Sequence, residues 1–155
     1  VLDAVKNKGL KVTAPNKGDS FEIGKAKCEV MTDSILNKDN LNLSSIVIRL
    51  EFENNSFLFM GDAETANEKT RTWMKTDVLK VGHHGSNTSS SEDFLKQINP
   101  TYAVIMAGKN NSYGLPKQKI LDRLTKIGAK VYRTDEEGTI MMISNGNNIE
   151  VKENT

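Results

Sequence analysis

The middle of this chain alternates short apolar runs with helical stretches, and that order constrains its fold more than any other feature. "SIVIRLEFENNSFLFMGD" reads as two strands, 45–52 and 56–60, joined by an Asn-Asn turn. "AETANEKTRTWM" reads as a helix. It is followed by the buried-strand run "DVLKVG", the helix "SSSEDFLKQI", the buried strand "TYAVIMAG", the helix "PKQKILDRLTKIG" and the strand "AKVYRT". Ser and acidic residues stand at the start of the second helix, and Pro and Gly128 bracket the third. Strand–helix alternation of this kind predicts a layered α/β sheet with crossover helices. Antiparallel pieces flank it. "DSFEIGKAKCEVMT" alternates around a Gly-Lys turn as a hairpin does, and "GTIMMIS" and "NIEVK" close the chain as strands. The beginning reads as a helix end closed by Gly9, a short strand at 10–13 and, later, an Asn-rich surface loop "DSILNKDNLNLS".

With 155 residues the chain suits one domain that needs no staple to hold a core. Apolar content of 37% and charged content of 26% belong to a globular protein rather than a disordered one. Basic and acidic residues number 21 and 20, and only four of the basic ones are Arg, so no global electrostatic footprint for nucleic acid appears. Cys28 is alone, which excludes a disulfide framework and a Cys-based zinc site. It lies on an alternating strand as a packing residue, and Trp73 reads as core or covered surface. No apolar run approaches the roughly 20 residues that span a bilayer, and "VLDAVKNKGLKV" has no apolar signal-peptide core. The compartment stays open.

Ligands in open α/β sheets gather beyond the carboxyl ends of strands. Asp62 follows "FLFMG", His83 and His84 follow "DVLKVG", and the loop "AGKNNSYGLP" follows "TYAVIMA". A carboxylate and an imidazole on neighbouring strand ends suit Zn or Mn. Each feature has a plainer reading beside it. Asp62 caps a helix well in "GDAE"; Gly-His-His-Gly can simply end a strand; "SNTSSSED" and "GKNNSYGLP" are rich in turn residues. A serine hydrolase using Ser86 beside His84 is disfavoured, because the polar loop lacks a strained nucleophile turn.

Three stretches taken together, "NLSSIVIRLEFENNSFLFMGDAE", "DVLKVGHHGSNTSSSEDFLKQINPTYAVIMAGKNNSYGLP" and "VYRTDEEGTI", resemble the metallo-β-lactamase-like domain of ComEC-type competence proteins and related free-standing hydrolases. The resemblance implies an αβ/βα sandwich, with a mixed sheet and flanking helices, and a metal site at its seam. It implies metal-dependent hydrolysis of phosphodiester or related ester bonds by a metal-activated water, with Zn or Mn as the ion. Asp62 matches the aspartate that bridges the metals, and His83 or His84 matches the histidine that closes the site. Both therefore enter as expected metal and catalytic residues, with the ligating ring left open. Asn42 and Ser45 match an Asn/Ser-rich stretch that replaces a histidine of other branches.

Two departures qualify the match. The superfamily's HxHxDH ligand cluster has no counterpart, since both histidines of the chain are in "GHHGS". The branch's "NSYGHP" reads "NSYGLP", placing Leu115 where a polar group is expected. Residues 1–155 are thus expected to form a single partial domain, the C-terminal portion of the sandwich. Metal binding by this chain alone is expected to be weak or absent, and the chain alone inactive. The parent is expected to act on nucleic acid or another phosphodiester, and an uncovered sandwich face is expected to drive self-association. The competing expectation is a non-catalytic binding or structural module. A Lys- and Asn-rich composition points to an AT-rich bacterial genome, and the resemblance to an extracellular or membrane-associated parent.

Overall fold

The computed structural model of the protein describes residues 1–33 and 36–152. Seven strands form one sheet in chain order: β1 (Ser20–Ile23), β2 (Ala26–Val30), β3 (Ile48–Phe52), β4 (Asn55–Phe59), β5 (Val78–Lys80), β6 (Tyr102–Ile105) and β7 (Lys130–Arg133). The first four pair antiparallel and the last three join in parallel, so the sheet is mixed, as expected. The switch to parallel pairing falls after β4, although the long β2–β3 connection also precedes an antiparallel pair. Two-residue loops join β1 to β2 and β3 to β4, and helices carry the chain between the parallel strands. A separate hairpin pairs β8 (Met141–Ser144) with β9 (Ile149–Lys152).

The helices are α1 (Leu2–Asn7), α2 (Thr65–Glu68), α3 (Glu92–Ile98), α4 (Gln118–Lys126) and α5 (Thr134–Glu137). Ser91 caps α3 by accepting from the Phe94 amide, as the sequence suggests. Side chains alternate across the strands. Leu58, Leu79 and Ala103 lie in register on β4, β5 and β6 and face the helical layer. There they join Phe94, Leu95, Ile98, Ile120, Leu124 and Trp73 in one core. On the opposite face Phe57, Phe59, Lys80 and Val104 share a cavity of about 240 Å³ with Ile140 and Met142 of the β8 segment. The hairpin therefore shelters part of the second sheet face. Phe59 stays 42% exposed and Met106 51% exposed.

Local expectations differ from the structure in four places. No strand forms over 10–13, whose residues are exposed and find no pairing partner among the described strands. The first central strand begins at Ile48 rather than residue 45, and the turn is Glu53-Asn54, with Glu53 at φ 52°. The helix expected over "AETANEKTRTWM" is a single turn, after which the chain leaves the helix through a turn at 69–70 and packs Trp73 against Phe94. Its cap is Glu64, reciprocally bonded with Asn67, and not Asp62. Within the Asn-rich loop Leu41–Ser44 makes a 3-10 turn, and residues 34–35 of that loop lie outside the described residues.

Candidate active site

The ends of β4 and β5 bring together what the sequence places 21 residues apart. After β4 the chain turns at Gly61 (φ 55°) and presents Asp62; the Asp62 amide donates to Ser45 Oγ at 3.2 Å. After β5 it passes through Gly82–Gly85, a tight turn in which His83 (φ 46°, ψ 44°) and His84 (φ 52°, ψ 25°) are both left-handed. Two consecutive non-glycine residues in that region are costly, and they persist only where surrounding contacts over-determine them. The turn is packed tightly enough to do so. The His83 amide donates to the Gly61 carbonyl at 3.1 Å, and a Cβ on Gly82 would approach the Ala63 carbonyl oxygen to 2.8 Å.

The turn sends its two rings to different partners. His84 Nε2 lies 3.3 Å from Asp62 Oδ1, both side chains being 43% exposed. His84 Nδ1 lies 2.5 Å from the Met106 carbonyl oxygen. A carbonyl can only accept, so Nδ1 donates to it and the other ring nitrogen, Nε2, is the one that faces Asp62. His83 points instead to Glu64. Its Nδ1 lies 3.1 Å from Thr88 Oγ1 and 3.3 Å from Glu64 Oε1, and its Nε2 lies 3.5 Å from Asn42 Nδ2.

Glu64 is the hub that the sequence reading overlooks. It accepts from Asn40 Nδ2 at 2.9 Å, Asn42 Nδ2 at 3.1 Å and Thr88 Oγ1 at 3.0 Å. Burial pushes its carboxyl up, but the bonds from Asn42, Asn40 and Thr88, with the charge of His83, outweigh burial and hold it below its ordinary value. The Glu64–Asn67 capping spacing is the signal that marked it as structured. Lys80 is the other addition, a lone cation in the apolar run of β5. Its ammonium donates to the Gly61 carbonyl at 2.8 Å. Burial pushes Lys80 below its ordinary value while Asp62 pulls it back up.

Asp62 Oδ1 and His84 Nε2 are a carboxylate oxygen and an imidazole nitrogen facing each other, two atom types that ligate zinc. Donors bound at about 2.0–2.1 Å to a tetrahedral ion sit about 3.3 Å apart, which is the spacing observed. The pair thus fits part of a metal seat. Among the described residues no group of three or more His, Cys, Asp or Glu completes it, whereas a catalytic zinc commonly takes three protein ligands. Ser86 contacts Thr88 rather than His84 and forms no nucleophile–base pair with it. A cavity of about 490 Å³ on the helical side shares no lining residue with this rim. No helix among the described residues is long and apolar enough to cross a membrane.

Comparison with known proteins agrees with this architecture. The family model described as "Metallo-beta-lactamase superfamily" matches residues 12–109. The chain is 38% identical over 144 residues to "ComE operon protein 3" of Bacillus subtilis (strain 168), covering 90% of this chain and 19% of that protein. It is 42% identical over 101 residues to "Recombination protein 2" of Haemophilus influenzae, covering 64% of this chain and 13% of that protein. "Competence protein ComA" of Neisseria gonorrhoeae is 36% identical over 104 residues, covering 64% of the chain and 15% of that protein. The chain spans about a fifth or less of the length of these relatives. A mixed sheet with flanking helices, a family match over most of the chain and relatives named for competence together give its affiliation: the chain belongs to the metallo-β-lactamase superfamily, as a ComEC-type domain.

Proposed function

We propose that this chain forms part of a metal-dependent hydrolase of phosphodiester or related ester bonds, with Asp62 and His84 as its contribution to the metal seat. The observation that carries this reading is the His84 ring: Nδ1 is committed to the Met106 carbonyl, and Nε2 stands 3.3 Å from the Asp62 carboxylate, the spacing of two ligands on one ion. Asp62 and His84 would hold Zn or Mn, which would supply a Lewis acid and acidify a bound water toward neutral pH. The protein's own residues prepare the seat. Met106 fixes the His84 tautomer, as outer partners of metal-bound histidines do. The Gly61 turn, tied by Lys80 and Ser45, aims Asp62. His83 serves as an orienting group facing the rim through Asn42, held by Glu64 and Thr88 rather than ligating beside His84. Nucleic acid is the substrate class we favour, on the likeness to relatives named for recombination and competence.

The second reading, a binding module without catalysis, is favoured by the two-donor seat and by apolar Leu115. Manganese broadening of NMR signals separates the two, because it detects even weak binding. Mn²⁺ is expected to broaden signals of Gly61, Asp62 and Met106, an effect lost in Asp62→Ala and His84→Ala and kept in His83→Ala. Broadening that is absent at the rim, or indifferent to Asp62 and His84, would leave the binding-module reading in possession. Turnover is expected only when further ligands from a longer chain are supplied.

A further inference from the structure

The loop after β6 does more than connect. A cavity of about 240 Å³ opens beside His84, walled by Met106, Ala107, Gly108, Asn111, Tyr113 and Leu115. We propose that this cavity is a subsite for one planar ring of nucleobase size, attached to the phosphoryl group that the Asp62–His84 pair addresses; it rests on the hydrolase reading above.

Size supports a single ring. Sites for whole drug-sized ligands run to about 300–1,000 Å³, and this cavity is smaller. Several of the wall's polar groups are already engaged. Asn111 Nδ2 donates to the Gly108 and Leu115 carbonyls at 2.8 and 2.7 Å, and its Oδ1 accepts from the Leu115 amide at 3.0 Å. The Met106 carbonyl accepts a hydrogen bond from His84 Nδ1. The lining left to a ligand is mostly apolar: Tyr113, a residue 78% exposed, Leu115, and Met106, which this cavity shares with the one on the open sheet face. A thioether and an aromatic face favour the flat face of another ring, and such stacking tolerates any base.

Rigidity and charge support the same occupant. Lys117 donates its amide to the Gly85 carbonyl at 3.0 Å, and a Cβ on Gly85 would stand 2.7 Å from Pro116 Cβ. The ring wall and the His84 turn are thereby fastened into one unit. The Lys117 ammonium is pinned at 2.8 Å to the Tyr113 carbonyl, which places a cation beside the ring wall for an anionic ester. Apolar Leu115, which weakens the case for catalysis when read as a missing polar group, becomes part of the binding surface.

The test is an NMR titration of the full chain with thymidine 5′-monophosphate and with 2-deoxyribose 5-phosphate, following the methionine methyls and tyrosine rings. The nucleotide is expected to shift Met106 and Tyr113 and to bind about fivefold or more tighter than the sugar phosphate. Tyr113→Ala, a change at an exposed position that leaves the core intact, is expected to abolish that preference, and Tyr113→Phe to keep it. Equal affinity for the two compounds, no shift at Met106, or a preference that survives Tyr113→Ala would each overturn the subsite. The hydrolase reading fails separately. Nucleotide preference retained while manganese broadening ignores Asp62 and His84 would uphold the ring subsite and overturn the metal seat.

Discussion

His84 shows how a single residue trades stability for chemistry. Its left-handed backbone would suit glycine, yet its ring is what meets Asp62 and the Met106 carbonyl. A side chain at such a position costs about 1–2 kcal/mol relative to glycine. His84→Gly is therefore expected to be more stable than His84→Ala by about that amount, measured by urea unfolding, and both are expected to lose manganese binding. Equal stabilities would mean that the turn relaxes and stores no strain. Glu64 behaves in the opposite sense, since its carboxylate stabilises the loop that carries Asn40 and Asn42. Its folded value lies below the unfolded one. The stabilisation is thus complete above the ordinary glutamate range, about 4.3, and is lost as pH falls through the lower folded value. The stability gap between the wild type and Glu64→Gln is expected to be largest near neutrality and to close in acid. A gap independent of pH would assign Glu64 a packing role instead. Cys28, 2% exposed and with its thiol pushed up by burial, is expected to resist thiol reagents until the protein is unfolded.

At the scale of elements, the turn Gly82–Gly85 and the loop after β6 act together. Gly82 has no room for a side chain, since a Cβ would crowd the Ala63 carbonyl oxygen at 2.8 Å. Gly82→Ala is expected to destabilise the fold by about 1–3 kcal/mol and to loosen manganese binding, because the Ala63 backbone leads directly from Asp62; unchanged urea midpoints would show that the two turns are independent. The sequence made the major elements legible wherever patterning and punctuation agreed: β4, β5 and β6 as apolar runs, α3 with its Ser cap, α4 bracketed by Pro and Gly. Asp62 and the histidines were legible as strand-end residues. What was hidden depended on tertiary packing. The helix after "GDAE" has good helical propensity for a dozen residues, yet it stops after one turn, and Trp73 is drawn into the core with its indole donating to the Glu68 carbonyl at 2.6 Å. The division of labour between the two rings was hidden too. Adjacent histidines look alike in sequence, and only the left-handed turn sends one to Asp62 and the other to Glu64.

For the whole molecule, the consequence lies on the sheet face opposite the helices. The β8–β9 hairpin lies over Phe57, Val78 and Val104, and the Asn55 side chain ties it to the sheet through Ser144 Oγ at 2.6 Å. The cover is incomplete, since Phe59 and Met106 remain about half exposed, and the hairpin adds Met141 and Ile143 to the outer surface. The edge strand β1 also exposes Phe21 and Ile23. Exposed apolar patches of this kind are places where association is to be tested, and in the relatives the matched stretch is a fifth or less of a longer chain. In isolation the same face is expected to meet a second copy. Sedimentation velocity should show a mass rising above 17.2 kDa as concentration increases. Phe59→Glu is expected to restore the monomer, and Phe21→Lys to leave association unchanged, because an exposed face buries more apolar area than one edge strand. If instead Phe21→Lys alone restores the monomer, copies pair through the unpaired edge of β1. A mass that never departs from the monomer would mean that the hairpin is cover enough, and that the open face is a matter of local exposure rather than of assembly.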